Sequence, residues 1–343
     1  MAKRKRTPRP TARKADGEKP AAAPGGVLNR RAQRLADRAA RRLDDLGVDL
    51  LRLTSGATVL DFGVHAPGGL EAGLTLARLS AADLLTCEIA PGTLAGRPWP
   101  AVTVRTDAPV EACLRSQYAG RKVDLRQPDG SHFFGMCSGP LRAATADEPL
   151  IAKLGGREDA RKAVGVLEAR QIPPPNVAAH LAAAAGVKPD QLTLCVAPTA
   201  SVAGCVQIAA RSVETALHKL LTLEFDVTRV RCGAGSCPLA PAGGGDAAAL
   251  GRTNDAILYG STVTLWIDAT RDELAELAPR VPSSSSDRHG RPFADLLAEA
   301  GGDFYALDPL LFAPAAVTLV GTRDGSAAAA GGVREDLLDG WFS

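Results

Sequence analysis

Gln207, Arg211, Glu214 and His218 stand in the segment CVQIAARSVETALHKLL at successive intervals of four, three and four residues. In an α-helix those intervals stack side chains on one face, so Arg211 and Glu214 can touch while Gln207 and His218 flank them. A carboxylate beside a guanidinium can take a proton from water and give one back, with the cation fixing its charge and orientation. The same stripe is also the ordinary look of a solvated helix face. Its setting adds weight to the chemical reading. The buried-strand run LTLCVA and the sharp turn PTAS lead directly into the helix, which is expected over 202–222. Thr199 and Ser201 therefore lie where a strand end opens onto a helix N-terminus, a place that favours negative charge, and either hydroxyl can cap the helix or touch a ligand.

The surrounding elements read as mixed α and β. An amphipathic helix is expected at 28–46, and a strand at ATVLDFGV is followed by a Gly-rich turn and a helix in HAPGGLEAGLTLARL. That order imitates a nucleotide-binding unit, but Gly68, Gly69 and Gly73 do not fit GxGxxG and are read as close-packing glycines. Further strands are expected in LLTCEI, AVTVRT, RKVDLR and SHFFGMCSG, and helices in PVEACLRSQYAG and PLIAKLGGREDARKAVGVLEA. The triple proline of IPPPNV must break the last of these and serves as the expected domain junction. Beyond it come a helix in NVAAHLAAAAGV, capped by Gly186, and then the strand and helix of the stripe. A long Gly and Pro loop follows, leading to the polar cluster Arg252, Asn254 and Asp255 and a strand around Leu258. That cluster is either a ligand contact or an Asx turn with a charge pair.

A chain of 343 residues with 45% hydrophobic and 4% aromatic residues builds its core mainly from Ala, Val and Leu. The expected organisation is a disordered basic tail at 1–26, a first α/β domain at 27–172 and a second at 173–343. Residues 1–20 hold eight Lys or Arg; without them 32 basic and 36 acidic residues remain, so the body carries about −4. The tail has no hydrophobic h-region and no interleaved aromatics, which argues against both a signal peptide and nucleic-acid attachment. Seven scattered cysteines without CxxC spacing point to a reducing cytoplasm, and no apolar run reaches the ~20 residues of a membrane span. Five scattered histidines give no metal motif. Ser201 in TASVAG and Cys137 in GMCSGP have no partner base, which sets aside nucleophilic catalysis.

Three stretches give the chain a resemblance: CSGPLRA at 137–143, APTASVAGCVQIAARSVETALHK at 197–219 and GRTNDAILYG at 251–260. SQYAGRK at 116–122, VPSSSSDRHGRPF at 281–293 and FYALDPLLFAPAAV at 304–317 extend it. The chain resembles the methenyltetrahydromethanopterin cyclohydrolases from about residue 28 onward. The resemblance implies two α/β domains with mixed sheets side by side and the active site in the cleft between them. It implies hydration and ring opening of a cationic one-carbon carrier, to leave a formyl group on the pterin-ring nitrogen, with no metal or redox cofactor and in a homo-oligomer, a trimer in the best-known relatives. Carried over by motif, Arg211 and Glu214 form the catalytic centre, and Lys122 anchors the polar tail of the carrier. Gln207, His218, Thr199, Ser201, Arg252, Asn254 and Asp255 are the further candidates for substrate contact, His218 either as a partner of Glu214 or as a surface residue. Arg121, His289 and Gly321 depart from the residues usual in the family. The alternatives are a hydrolase of a related folate or pterin amidine, or a pterin-binding protein without catalysis.

Overall fold

The computed structural model describes residues 27–342 apart from positions 128 and 146 and the side chain of Tyr305; the basic tail expected at 1–26 lies outside the described residues. Two six-stranded mixed sheets form the frame. The first runs β1 (Asp49–Arg52), β2 (Thr58–Asp61), β8 (Leu192–Ala197), β7 (Ala163–Glu168), β6 (His132–Ser138) and β5 (Arg121–Arg126), with β2, β8 and β7 mutually parallel and the remaining pairs antiparallel. The second runs β12 (Ala327–Gly331), β11 (Ala316–Gly321), β10 (Thr262–Ile267), β9 (Val230–Pro238), β4 (Arg97–Thr106) and β3 (Thr86–Leu94), where only β10 and β11 are parallel.

Sheet membership does not follow the proline run. β7 and β8 lie on either side of it in sequence and are parallel neighbours, while β3 and β4 from the first half of the chain complete the second sheet. The strand sequences show why each sheet is covered as it is. AVGVLE and LTLCVA are apolar almost throughout and almost wholly buried, the mark of strands packed on both faces. On one face lie helices α1 (Val27–Ala39) and α3 (Leu70–Ser80), which bring Leu35 and Leu76; α2 (Leu43–Leu46) is a single turn beside them. On the other lie α4 (Leu141–Ala144) and α6 (Pro175–Ala185), with Leu141, Val177 and Leu181. β10 and β11 alternate between buried and less buried positions, so that sheet packs chiefly on one face, against α8 (Ser212–Thr222) and α10 (Arg271–Leu277).

Several expected elements change. The helix expected through PLIAKLGGREDARKAVGVLEA is only α5 (Pro149–Lys153): Gly155 and Gly156 take φ of +100° and +82°, and the apolar run beyond them is β7. The expected helix at 28–46 breaks after Ala39. GRTNDAILYG is neither a turn nor a strand. It ends α9 (Asp246–Asp255) and continues as a π-helical turn over Ala256–Gly260, with β10 starting only at Thr262. PVEACLRSQYAG is helical as expected, but π-wound over Val110–Gln117. A last helix, α11 (Phe293–Glu299), packs on α9.

Candidate active site

The stripe occupies two helices in place of one. α7 (Val202–Ala209) stops, Ala210 and Arg211 flatten to ψ of 2° and 5°, and α8 restarts at Ser212. Arg211 thereby becomes the residue that introduces α8, and Glu214 falls in its first turn, where the helix dipole favours a carboxylate. Two glycines let α7 sit where it does. A Cβ on Gly204 would come within 2.0 Å of the Pro198 carbonyl oxygen, and one on Gly73 of α3 within 2.5 Å of Val206 Cβ. For Gly73 the close-packing role is thus visible.

Arg211 is nearly buried, and its guanidinium is held on three sides. Nε and Nη2 donate to Gln207 Oε1 at 3.2 and 3.0 Å, Nη2 also to Ser138 Oγ at 3.2 Å, and Nη1 to the Gln117 carbonyl at 2.5 Å. These bonds occupy four of the five N–H groups of an arginine. The fifth is on Nη1, the nitrogen 3.9 Å from Glu214 Oε2. Gln117 ends the π-helical segment and Ser138 ends β6, so the guanidinium joins the rim of the first sheet to helices packed on the second.

Glu214 is 6% exposed and, among the described residues, has Arg211 as its partner. Burial raises its carboxyl pKa to about 7, against the opposing pull of Arg211 and Arg142. An ion pair and a raised pKa are compatible here, because Arg211 commits most of its donors to other acceptors. Desolvation of the carboxylate outweighs what remains. Cys113 is buried close by, and both burial and the Glu214 charge push its thiol well above the ordinary range.

His218 stacks on the Tyr118 ring at 4.9 Å with 19° between the planes, and burial lowers its pKa. Arg142, fully buried, lies over the same Tyr118 ring at 4.9 Å and pairs bidentately with Glu148 at 2.7 and 3.1 Å. Thr199 donates to Glu168 Oε1 at 2.5 Å, and Gln207 Nε2 donates to Glu168 Oε2 at 3.3 Å.

The structure therefore brings Gln207, Arg211, Glu214, His218 and Thr199 into one neighbourhood. Ser201 is the N-cap of α7: its Oγ accepts from Gly204 N at 3.0 Å and donates to the Pro198 carbonyl at 2.8 Å. Arg252 clasps the carbonyls of Pro241 and Gly243 at 3.0 and 2.5 Å, and the Gly243 N–H in turn reaches the Ala200 carbonyl at 2.8 Å. It supports the PTAS turn from behind. Lys122 pairs with Asp124 at 2.6 Å on β5. Asn254 bonds back to Leu250 O within its helix, and Asp255 accepts from Phe293 N at 2.8 Å, with burial raising its pKa to about 7. Among the described residues Arg252, Lys122, Asn254 and Asp255 make no bond to Arg211 or Glu214. Nor do any three His, Cys, Asp or Glu side chains converge there as a metal-ligand group.

Sequence reasoning singles out SQYAGRK and CSGPLRA as stretches but not Gln117, Tyr118, Ser138 or Arg142 within them. It misses Glu168 altogether, because the run before that residue reads as helical. The alternation-free apolar run AVGVL between glycines and a proline cluster is the available strand signal.

Comparison with known proteins agrees with this arrangement of motifs. The family model described as Cyclohydrolase (MCH) matches residues 27–342. The methenyltetrahydromethanopterin cyclohydrolase of Rhodopirellula baltica is 45% identical over 299 residues, covering 85% of this chain and 88% of its own. The enzyme of the same name from Methylobacterium organophilum is 42% identical over 90% of this chain and 95% of its own. That of Methanosarcina barkeri is 40% identical over 86% and 91%. Matched over nearly the whole described structure and by full-length relatives, the chain belongs to the Cyclohydrolase (MCH) family.

Proposed function

We propose that the protein is a methenyltetrahydromethanopterin cyclohydrolase in which Glu214 is the proton-transfer group and Arg211 its support. The activity is that of the relatives, methenyltetrahydromethanopterin cyclohydrolases 36–45% identical to this chain. The observation that carries the residue assignment is the buried Glu214 carboxyl, poised at about 7 beside a guanidinium with one N–H to spare. The bridging carbon of the substrate lies between two nitrogens that share a positive charge, so it is electrophilic without a Lewis acid. Water adds to that carbon as Glu214 takes one of its protons. The bond from the carbon to the arylamine nitrogen then breaks, its electron pair stays on that nitrogen, and Glu214 returns the proton there. The remaining hydroxyl becomes the formyl oxygen and releases its proton to solvent. Carbon keeps its oxidation state, so the reaction itself calls for no redox cofactor.

A base with a pKa near the working pH is half ionised and can play both parts in one turnover. Burial supplies the proton affinity, and Arg211 keeps the charged form accessible and aimed. Ring opening rises with pH through about 7 as Glu214 ionises, and the reverse closure falls over the same range. His218 and Tyr118 offer a flat wall for a ring system, and Lys122 a cation for the tail of the carrier. A homo-oligomer, trimeric by the resemblance, in a reducing cytoplasm completes the reading; the seven free cysteines fit such a compartment.

The test follows the near-ultraviolet absorbance of the methenyl carrier in pterin and folate forms. Wild type is expected to consume the tetrahydromethanopterin form, and Glu214→Gln to lose about 10²- to 10⁴-fold in kcat. Normal turnover in that variant overturns the assignment, and preference for the folate form overturns the substrate.

A further inference from the structure

We infer that Glu168 is a positioning residue for this reaction: acting through the Gln207 amide, it fixes the Arg211 guanidinium in the orientation that serves Glu214. The inference rests on the proposed roles of Arg211 and Glu214 and deepens them. Three groups stand in a row whose hydrogen-bond polarity has a single solution. A carboxylate only accepts and a guanidinium only donates, whereas a primary amide does each at one end. Glu168 Oε2 takes Gln207 Nε2 at 3.3 Å, so Gln207 Oε1 must face the other way, where Nε and Nη2 of Arg211 reach it at 3.2 and 3.0 Å.

The rest of the cage depends on that anchor. With Nε and one Nη2 hydrogen committed to Gln207, the plane of the guanidinium is set. Its far edge then meets Ser138 Oγ at 3.2 Å and the Gln117 carbonyl at 2.5 Å, which leaves the last hydrogen on the nitrogen nearest Glu214. Gln207 is 2% exposed, so no bulk water competes to reorient its amide. Glu168 is itself steadied from the other side by Thr199 Oγ1 at 2.5 Å. It closes β7 while Thr199 follows β8, so two parallel neighbours of the first sheet aim the chain.

The conservative variant removes the charge that fixes the polarity, with almost no change of shape. In Glu168→Gln an amide can present its NH₂ to Gln207, which then turns its own NH₂ on Arg211 and meets donor with donor. Kinetics with the methenyl carrier should show kcat lowered by about ten- to a hundredfold, on the scale of a displaced catalytic group. KM should stay within about twofold, and the ascending pH limb should move upward as Arg211 ceases to favour the ionised Glu214. The double variant Glu168→Gln/Gln207→Glu exchanges the two groups and leaves the net charge unchanged. The carboxylate at position 207 then accepts from Arg211 on one side and from the amide at position 168 on the other, so part of the lost kcat should return. Unchanged kcat and pH limb in Glu168→Gln, a rise confined to KM, or a double variant no better than the single one would each overturn the inference. Glu214→Gln is assayed alongside. If that variant turns over normally the underlying roles fail, whereas a dead Glu214→Gln with a normal Glu168→Gln sinks only the relay.

Discussion

Replacing Glu214 by Gln should make the folded protein more stable, and increasingly so as the pH rises. In the unfolded chain this carboxyl has its ordinary value of 4.5, whereas burial lifts it to about 7 in the folded protein. The folded state therefore holds the proton over a range in which the unfolded state has released it, and stability falls as pH climbs through that interval. At 1.36 kcal/mol for each pKa unit, the full cost of ionising this 6% exposed group is about 3 kcal/mol above pH 7. Some of it is already present at pH 5, so the change between pH 5 and pH 8 is on the order of 2 kcal/mol. Glutamine carries no charge and incurs no such cost. Urea unfolding of both proteins at fixed concentration, repeated across that range, gives the difference directly, since the other titrating groups are common to both. A stability difference that stays flat from pH 5 to pH 8 would refute the claim that desolvation dominates at Glu214.

Arg211→Met should shift the ascending limb of ring opening to higher pH, since the cation that lowers the Glu214 pKa is gone; a limb that stays near 7 contradicts the pairing. Arg211→Lys keeps the charge but cannot span Gln207, Ser138 and Gln117, so kcat should fall about a hundredfold, read from the same pH series. Gly73→Ala should cost about 1–3 kcal/mol in thermal melts, because the new methyl would sit 2.5 Å from Val206 Cβ; unchanged melting would contradict the close packing of α3 on α7. Ser201→Ala removes the cap of α7 and should cost about 1 kcal/mol with KM unchanged; a KM effect at normal stability would make Ser201 a ligand contact after all.

The fully buried strand LTLCVA, the αL cap at Gly186 and the contact between Gln207 and Arg211 are legible in the sequence, because each follows from local spacing or a single residue's backbone freedom. The break at Arg211 is not: Ala210, Arg211 and Ser212 are ordinary in a helix, and the bonds that meet the kink, from Arg211 to Gln117 and Ser138 and from the Gln117 amide to the Ala210 carbonyl, come from other elements. Nor can spacing find Glu168, since its partners lie 31 and 39 residues away and meet it only once β7 and β8 pair. The Arg252, Asn254 and Asp255 group is visible in sequence as polar, but it lies in α9 and not in an Asx turn. Its side chains satisfy a loop, a helix turn and the start of α11.

The interleaving of strands has a consequence for any attempt to split the molecule. A cut at the proline run would leave the N-terminal piece without β8 but still holding β3 and β4, the edge pair of the other sheet. The C-terminal piece would keep β8 without its neighbours β2 and β7. Neither fragment owns a complete set of hydrogen-bonding partners, so each presents raw strand edges and is prone to aggregate when made alone. Mixed together, the two should reassemble and regain activity only jointly, since Ser138 and Gln117 arrive on one piece and Arg211 and Glu214 on the other.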